Sequence, residues 1–165
     1  MADYLHVTHE FPPLYDAECR TLILGSIPSP KSREQAFYYG HPQNRFWKVM
    51  AAVLAEPVPE TRDEKAALML RHHIALWDSL EACDIRGASD SSVRNPVPTD
   101  IPWLLRQTKI DRIFTTGATA DRFYRMFNEQ RTGIASVRLP STSPANCAVS
   151  MEKLTEVYRV IAEKT

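Results

Sequence analysis

Two polar loops in this sequence carry side chains that could recognise a bound molecule and act on it. The first contains GSIPSPKS from Gly25 and continues to YYGHPQNRFW, which ends at Trp47. The second is LPSTSPAN, from Leu139 to Asn146. Their amide, hydroxyl and imidazole groups can donate and accept hydrogen bonds, and their aromatic rings can stack on a planar ligand. The loops show no carboxylate pair placed as in most glycosidases.

Each loop follows a predicted strand. Thr21 to Leu24 is a short apolar run that Gly25 ends, and Ala135 to Leu139 is a second such run. In a parallel sheet the carboxyl ends of the strands share one edge, where open α/β folds bind ligands. We therefore expect the two loops to meet there. From Asn44, the spacing of Phe46, Met50, Val53 and Leu54 predicts a helix that follows the first loop.

The remaining chain alternates between predicted helices and strands, which indicates a mostly parallel sheet between helical layers. The predicted elements are a helix from a Thr61–Glu64 capping box to Arg71, a strand at Ile74–Trp77, a helix capped by Asp100, a strand at Ile110–Thr115, a helix at Ala118–Phe127 and a last helix capped by Ser150. Two segments lack such patterns. Residues 1–18 are expected to form an extended arm, and Asp84 to Pro98 a long loop. His6 and His9 could form a metal pair, although a surface arm is favoured.

Bulk properties exclude several classes of protein. The chain has 165 residues, with 44% hydrophobic and 24% charged residues, which is typical of one globular domain spanning 1–165. The net charge of zero does not suggest a strongly basic nucleic-acid binder, but Arg33, Arg45, Lys48 and Arg138 could form a local basic face. Three scattered cysteines fit a reducing cytoplasm and cannot supply the four thiolates of an iron–sulfur cluster. No stretch is long and apolar enough for a membrane span or a signal peptide.

The motifs GSIPSPKS, YYGHPQNRFW and LPSTSPAN resemble those of the uracil-DNA glycosylase superfamily, and within it the hypoxanthine-DNA glycosylase family. Mismatch-specific relatives share the Gly-x-x-Pro loop and the Asn-x-Phe-Trp segment, and Leu76-Trp77-Asp78 is a further match. The resemblance implies a three-layer α/β/α fold with a central four-stranded parallel sheet. It also implies a monofunctional enzyme that flips a deaminated base from double- or single-stranded DNA and hydrolyses its N-glycosidic bond. We expect a monomer that needs no cofactor.

The resemblance places the chemistry at Asn44. Mismatch-specific relatives carry an asparagine, and other branches an aspartate, two residues after the first glycine, where it positions the attacking water. This sequence has Ile27 there, which cannot bind water. Asn44 resembles the asparagine credited with catalysis in the hypoxanthine branch, although it could instead only cap the helix that begins at Arg45. Lys31 better suits a phosphate contact or a solvated charge than a Schiff base, so no lyase step is expected.

The other expected contacts fall into two groups. The base pocket is expected to use Gly25, Ser26, Ile27, Pro28, Tyr39, His41, Phe46 and Asn146. The DNA backbone is expected to meet Ser29, Lys31, Ser32, Ser141, Thr142, Ser143 and Pro144. Tyr38, Tyr39 and Phe46 are candidates for stacking on the base, but Phe46 suits an aromatic core equally well and Trp47 suits it better. His41 could act as an acid or brace its loop, and Ser89 to Asn95 could line the pocket.

Two alternatives stay open at this point. The enzyme could remove uracil or a broad range of deaminated or mismatched bases, although Ile27 argues against efficient uracil removal. The chain could also be a non-catalytic α/β module that binds nucleic acid, since no acid–base pair is evident. Nothing in it resembles a P-loop or a GxGxxG turn, so a phosphate-cradling nucleotide site is not expected.

Overall fold

The computed structural model describes residues 3–9, 12–27, 37–86 and 90–163. Its elements in chain order are β1 (Tyr4–Thr8), β2 (Thr21–Gly25), α1 (Phe46–Leu54), α2 (Arg62–Arg71), β3 (Ile74–Asp78), β4 (Leu80–Arg86), β5 (Arg94–Pro98), α3 (Ile101–Arg106), β6 (Arg112–Thr116), α4 (Ala118–Phe127), α5 (Glu129–Thr132), β7 (Ser136–Leu139) and α6 (Met151–Tyr158). Short 3-10 turns occupy Asp90–Ser92 and Arg159–Ala162. No helix within the described ranges has the length and apolar character that crossing a membrane requires.

The centre of the fold is a sheet of four parallel strands in the order β3-β2-β6-β7. Every residue of β2 is buried, because helices cover both faces of the sheet. Helices α1, α2 and α6 pack on the face that carries Ile23 and Phe114. Helices α3 and α4 pack on the face that carries Leu22 and Ile113. The expected three-layer α/β/α architecture with a four-stranded parallel sheet is therefore confirmed.

A second sheet, which was not predicted from the sequence, is antiparallel with the strand order β1-β4-β5. It incorporates part of the expected arm at residues 1–18 and much of the expected loop from Asp84 to Pro98, so both expectations were wrong. The reason is the mixed composition of these strands: β5 is RNPVP, a mostly exposed edge strand whose two prolines argue against a strand in sequence terms. The inner face of this sheet buries Val7, Cys83 and Ile85 against Phe123 of α4.

Helix starts agree closely with the sequence patterns. Thr61 accepts a hydrogen bond from the backbone N–H of Glu64, Asp100 from Trp103, and Ser150 from Lys153. All three predicted caps are confirmed. These caps fix where α2, α3 and α6 begin, so the loops that precede them enter the fold at defined points.

Candidate active site

The two polar loops meet at the carboxyl edge of the central sheet. The backbone N–H of Arg45 donates to the carbonyl of Thr142 across 3.1 Å. The Arg45 guanidinium donates to the carbonyl of Asn146 across 2.8 Å and to that of Val149. Arg45 therefore ties the loops together instead of offering a free charge to DNA. The expectation that both loops lie at one edge is confirmed.

Asn44 is held in one orientation by two hydrogen bonds to its side-chain oxygen. Oδ1 accepts from the backbone N–H of Phe46 at 2.9 Å and from the hydroxyl of Thr142 at 2.8 Å. Because a backbone N–H can only donate, the oxygen must face Phe46 and the amide nitrogen must face away. Among the residues that the structure describes, none accepts a hydrogen bond from Nδ2. Arg45, not Asn44, is the N-cap of α1, so Asn44 does not occupy the expected cap position; it bonds instead to the first residue of the helix and keeps a donor for a ligand.

Tyr39 presents the aromatic surface of the site. Its ring stacks on Phe46 with centroids 3.8 Å apart and planes 11° apart, while the residue itself is half-buried. Its φ of 53° lies in the left-handed region, a strained conformation that clusters at ligand sites in proteins. Phe46 is fully buried beneath it. Phe46 therefore backs the Tyr39 ring instead of facing a ligand, which corrects its expected contact with the base.

The neighbouring aromatic residues belong to the core. Tyr38 is 2% exposed and donates its hydroxyl to the carbonyl of Pro12 at 3.1 Å. Trp47 is 5% exposed and donates its indole N–H to the carbonyl of Tyr38 at 3.2 Å. Tyr38 is thereby ruled out as a stacking residue, and the expectation of a core position for Trp47 is confirmed.

A buried polar cluster forms the floor of the site where β2, β3 and β6 end. The Asp78 carboxylate bonds through Oδ2 to Nε2 of His9 at 2.6 Å. The hydroxyl of Tyr39 lies 3.1 Å from that of Thr116, which donates to the carbonyl of Leu24. Burial raises the pKa of the Tyr39 hydroxyl, and the nearby charge of Asp78 raises it further. The Tyr39 side chain therefore keeps its hydroxyl proton and is neutral, and the edge of its ring lies against this cluster.

Gly25 has no room for a side chain. A Cβ there would lie 2.5 Å from Oδ1 of Asp78 and 3.4 Å from the hydroxyl of Tyr39. The glycine is required because the carboxylate packs directly over its Cα. Ile27, two residues later, is 8% exposed and packs with Val7 and Leu80 in the core below the second sheet. Ile27 is thus a packing residue, which corrects its expected place among the base-binding residues.

The second loop is stiffened by its own hydrogen bonds. Oγ of Ser141 accepts from the backbone N–H of Ser143, and Oγ of Ser143 accepts from that of Ala145. Asn146 donates its amide N–H to the carbonyl of Ser141 at 2.9 Å. Thr142 is 1% exposed and its hydroxyl donates to Asn44, so its role is to orient Asn44 and its expected contact with DNA is corrected. Ser141, Ser143, Pro144 and Asn146 keep partial exposure.

His41 braces its own loop, as one of the two interpretations expected. Its Nδ1 accepts the backbone N–H of Gln43 at 3.1 Å. The expected residues Pro28, Ser29, Lys31 and Ser32, together with Arg33 and Ser89, lie outside the described residues. Within the described part of the chain, no group of histidine, cysteine, aspartate and glutamate is arranged to hold a metal ion.

Three groups of this floor were not predicted as part of the site, and His9, expected on a surface arm or in a metal pair with His6, is instead buried against Asp78. Asp78 was noted only as part of the Leu76-Trp77-Asp78 match, although its place at the end of a strand is a signal that could have been used. Thr116 ends β6 in the same way. His9 could not have been found, because its position depends on the second sheet, whose strands were not expected.

Comparisons with known proteins agree with this geometry. The sequence matches the family model of the uracil DNA glycosylase superfamily over residues 12–163. It is 31% identical over 148 residues to a hypoxanthine DNA glycosylase of Methanosarcina acetivorans, which covers 88% of this chain and 92% of the relative. It is 33% identical over 86 residues to a hypoxanthine DNA glycosylase of Methanosarcina barkeri, or 52% of this chain and 54% of the relative.

A solved structure shares the fold. The solution NMR structure of a candidate uracil DNA glycosylase from Methanosarcina acetivorans superposes with a TM-score of 0.78 at 28% sequence identity. The match covers 93% of this chain and 97% of the other. The similarity therefore extends over the whole architecture and is not confined to the polar loops.

Proposed function

Because this chain belongs to the uracil DNA glycosylase superfamily, we propose that it removes a deaminated base, in the first place hypoxanthine, from DNA. The reaction is hydrolysis of the N-glycosidic bond by a monofunctional enzyme. The relatives named hypoxanthine DNA glycosylase support this choice of base. The observation that carries the proposal is the oriented amide of Asn44, which lies on the segment that also supplies the Tyr39 ring. Among the described residues, none accepts a hydrogen bond from its N–H group.

The half-buried Tyr39 ring suits a base that has been flipped out of the helix. A base cannot be attacked inside a duplex, so it must be extruded and stacked on an aromatic side chain. Phe46 stacks on one face of the Tyr39 ring and holds it in place. Binding of a base therefore does not have to immobilise the ring first. Stacking of one base on an aromatic ring contributes on the order of 1–3 kcal/mol.

Asn44 supplies a donor and cannot act as a base. Both hydrogen bonds to Oδ1 come from the protein, which leaves Nδ2 to donate to the attacking water or to the leaving base. The bond between C1′ and the base nitrogen breaks, and its electron pair leaves with the base. The water oxygen bonds to C1′, and one of the water protons ends on the released base. Positioning and electrostatics around the cationic sugar would then carry the catalysis.

The proposed DNA contacts surround this centre. Ser141, Ser143 and Pro144 stand on a loop that its own hydrogen bonds hold rigid, which suits contacts to the phosphate backbone. Asn146 is proposed to border the base, and Gly25 and Ser26 to let the backbone approach it. Ser29, Lys31, Ser32 and Pro28 remain proposals from the sequence alone. We also propose a monomeric enzyme that acts in the cytoplasm.

A base-release assay tests the proposal. Defined duplexes that each carry one hypoxanthine, uracil or xanthine are incubated with the protein, and free base is quantified by chromatography. We expect release of hypoxanthine, with DNA strands that break only after alkali because no lyase step occurs. Efficient release of uracil without hypoxanthine would favour the uracil alternative. Binding to these duplexes without release of any base would instead favour a non-catalytic module.

A further inference from the structure

Two arginines lie over one tyrosine ring on the outer face of the second sheet. The guanidinium carbon of Arg86 is 4.6 Å from the centroid of the Tyr4 ring, and that of Arg94 is 4.3 Å from it. Tyr4 pairs with Arg86 across β1 and β4, while Arg94 belongs to the edge strand β5. Side chains alternate along a strand, so this face is opposite to the one that buries Val7 and Cys83. We call Tyr4, Arg86 and Arg94 the arginine cluster.

Neither guanidinium of the arginine cluster has an acidic partner among the described residues. Asp84 lies on the same face, but both of its oxygens are taken. Oδ1 bonds to Nδ1 of His6 at 2.9 Å, and Oδ2 accepts from the amide of Asn95 at 2.8 Å. Nε of Arg86 is buried and has no hydrogen-bond partner in the described part of the chain. Since buried donors are almost always satisfied in folded proteins, the cluster fits an acceptor that arrives with a ligand.

The two positive charges of the cluster also repel each other. Both lie over the same ring, so they are closer together than the Debye length of about 10 Å at 0.1 M salt. Stacking on Tyr4 orders the plane of each guanidinium but does not neutralise its charge. An ordered guanidinium is well prepared to bind a phosphate group through two parallel hydrogen bonds. An anion bound here would therefore pair with both charges and relieve their repulsion.

Strand β4 connects the arginine cluster to the candidate active site. Leu80, at the start of β4, donates its backbone N–H to the carbonyl of Ser26 at 3.0 Å. The chain therefore continues from β3 beyond the carboxyl edge of the central sheet. Arg86 is the last residue of β4, and the rise along a strand places it about 20 Å from Leu80. Successive phosphates of one DNA strand are about 3.4 Å apart along the helix axis, so this distance corresponds to about six base pairs.

From these observations we propose that the arginine cluster binds the phosphate backbone of the DNA duplex, about six base pairs from the base that is removed. The inference rests on the proposed function, because that function brings DNA to the carboxyl edge. Arg86 and Arg94 donate to phosphate oxygens, and Tyr4 orders both side chains. Contacts to phosphates carry no sequence information, but they fix the position of a protein on the duplex. The cluster thus adds affinity for DNA and leaves the chemistry at Asn44 unchanged.

The salt dependence of binding tests the cluster without any need for catalysis. Affinities of the unmodified protein, Arg86→Gln, Arg94→Gln and the double variant for an undamaged duplex are measured by fluorescence anisotropy at several salt concentrations. Each lost phosphate contact should reduce the slope of log affinity against log salt concentration by about 0.9. We expect the double variant to lose about two units of slope and at least about tenfold in affinity at 0.1 M salt.

Matched variants separate a phosphate site from a general effect of charge. Arg106 is exposed and ends α3, away from the carboxyl edge. Arg106→Gln removes the same charge and should leave affinity and slope unchanged. Replacing both arginines of the cluster by lysine keeps the charge but not the planar donors, so it should restore only part of the affinity. Tyr4→Phe keeps the ring and should bind like the unmodified protein, while Tyr4→Leu should bind more weakly.

The length of the duplex locates the contact. Single-turnover base release is measured at increasing protein concentrations for duplexes with about three or about ten base pairs on each side of deoxyinosine. With long flanks, the double variant should need at least about tenfold more protein to reach half of an unchanged maximal rate. With short flanks, it should match the unmodified protein, because no phosphate reaches the cluster.

The results distinguish failure of this inference from failure of the proposed function. Unchanged affinity and salt dependence in the double variant would overturn the inference, even if hypoxanthine were released. An equal loss on short and long duplexes would overturn it as well. Weaker binding and a smaller slope in the double variant would support the cluster even if the unmodified protein released no base, a result that would defeat only the proposed function.

Discussion

The two edges of the central sheet differ in the hydrogen-bond partners of their polar side chains. At the amino edge, where β2, β3 and β6 begin, a cavity of about 640 Å³ is lined by several charged side chains. Arg112 there donates to Thr21 Oγ1 and to the carbonyls of Val160, Ile161 and Glu163 over 2.7–3.4 Å. Arg71 and His72 both bond to Glu56. These charges hold the end of the chain and the helix ends in place.

The carboxyl edge of the sheet has polar groups of the same kinds, but some of their donor and acceptor atoms form no hydrogen bond with the described residues. Nδ2 of Asn44 and Oδ1 of Asp78 have no partner among the described residues, although each sits on a side chain that the protein holds firmly by its other atom. Leaving buried or half-buried groups unpaired costs stability. The comparison teaches that charge and cavity size alone do not identify a site. An oriented group with one atom left for a ligand is the better criterion.

Removing the unused donor of Asn44 should give the largest effect. Asn44→Ala eliminates the N–H that holds the water or the leaving base, and we expect single-turnover base release to fall by about 10²–10³-fold, as for other transition-state donors. Affinity for a duplex with a hydrolysis-resistant deoxyinosine should stay within about fivefold, since the loop contacts to the backbone remain. Base release and fluorescence anisotropy measure the two quantities.

The neighbouring amide of Gln43 provides the control for this prediction. Gln43 is exposed, and its backbone N–H donates to Nδ1 of His41, while its side chain has no hydrogen bond to any residue that the structure describes. Gln43→Ala should therefore release base at the unmodified rate. Full activity in Asn44→Ala would move the chemistry to another residue of the site, with Asn146 as the next to test.

The sequence predicted the central sheet because its strands are short apolar runs that helical periods separate. Thr21–Leu24 of β2 and Ile113–Thr115 of β6 are buried on both faces, so the composition of these runs identifies them. The second sheet escaped prediction because β5 is polar and contains prolines, and because β1 lies far in the sequence from β4, the strand with which it pairs. Patterns of composition identify buried elements and miss exposed edges.

The site was predictable in the same limited way. The two loops stand out by residue type and their meeting follows from the parallel sheet, whereas Asn44 was singled out by the family resemblance. The direction of each side chain does not follow from type. Thr142 looked like one of several hydroxyls for DNA, yet it is the one whose O–H fixes Asn44, and Phe46 looked like a ring for the base but lies beneath Tyr39. Such assignments depend on burial, which a sequence motif does not specify.

A change at the opposite edge should weaken the fold and leave the chemistry intact. Arg112→Met keeps the apolar stem but removes the hydrogen bonds to Thr21 and to three carbonyls. We expect the free energy of unfolding to fall by about 3 kcal/mol, since hydrogen bonds from a charged donor contribute on the order of 1.5–3 kcal/mol each and are not additive. Urea denaturation measures the loss, and base release per folded molecule should not change.

Lys109 offers the matched comparison for Arg112. It pairs with Glu18 across 2.7 Å, and both side chains are more than half exposed. Lys109→Met should lower the free energy of unfolding far less than Arg112→Met does, because exposed ion pairs contribute little to stability. If Arg112→Met lowered base release per folded molecule as strongly as Asn44→Ala does, the functional separation of the two edges would be wrong.

The smallest effect is expected from Thr142, which touches the site only through Asn44. Thr142→Val replaces the hydroxyl by a methyl group of similar size, so that Oδ1 of Asn44 keeps the Phe46 N–H and loses its second donor. A neutral hydrogen bond contributes about 1 kcal/mol, so base release should fall by about fivefold while the affinity for DNA stays unchanged. Thr142→Ser keeps the hydroxyl and should retain most of the activity. If Thr142 instead contacted the DNA backbone, the valine variant would lose affinity and show a weaker dependence of binding on salt concentration.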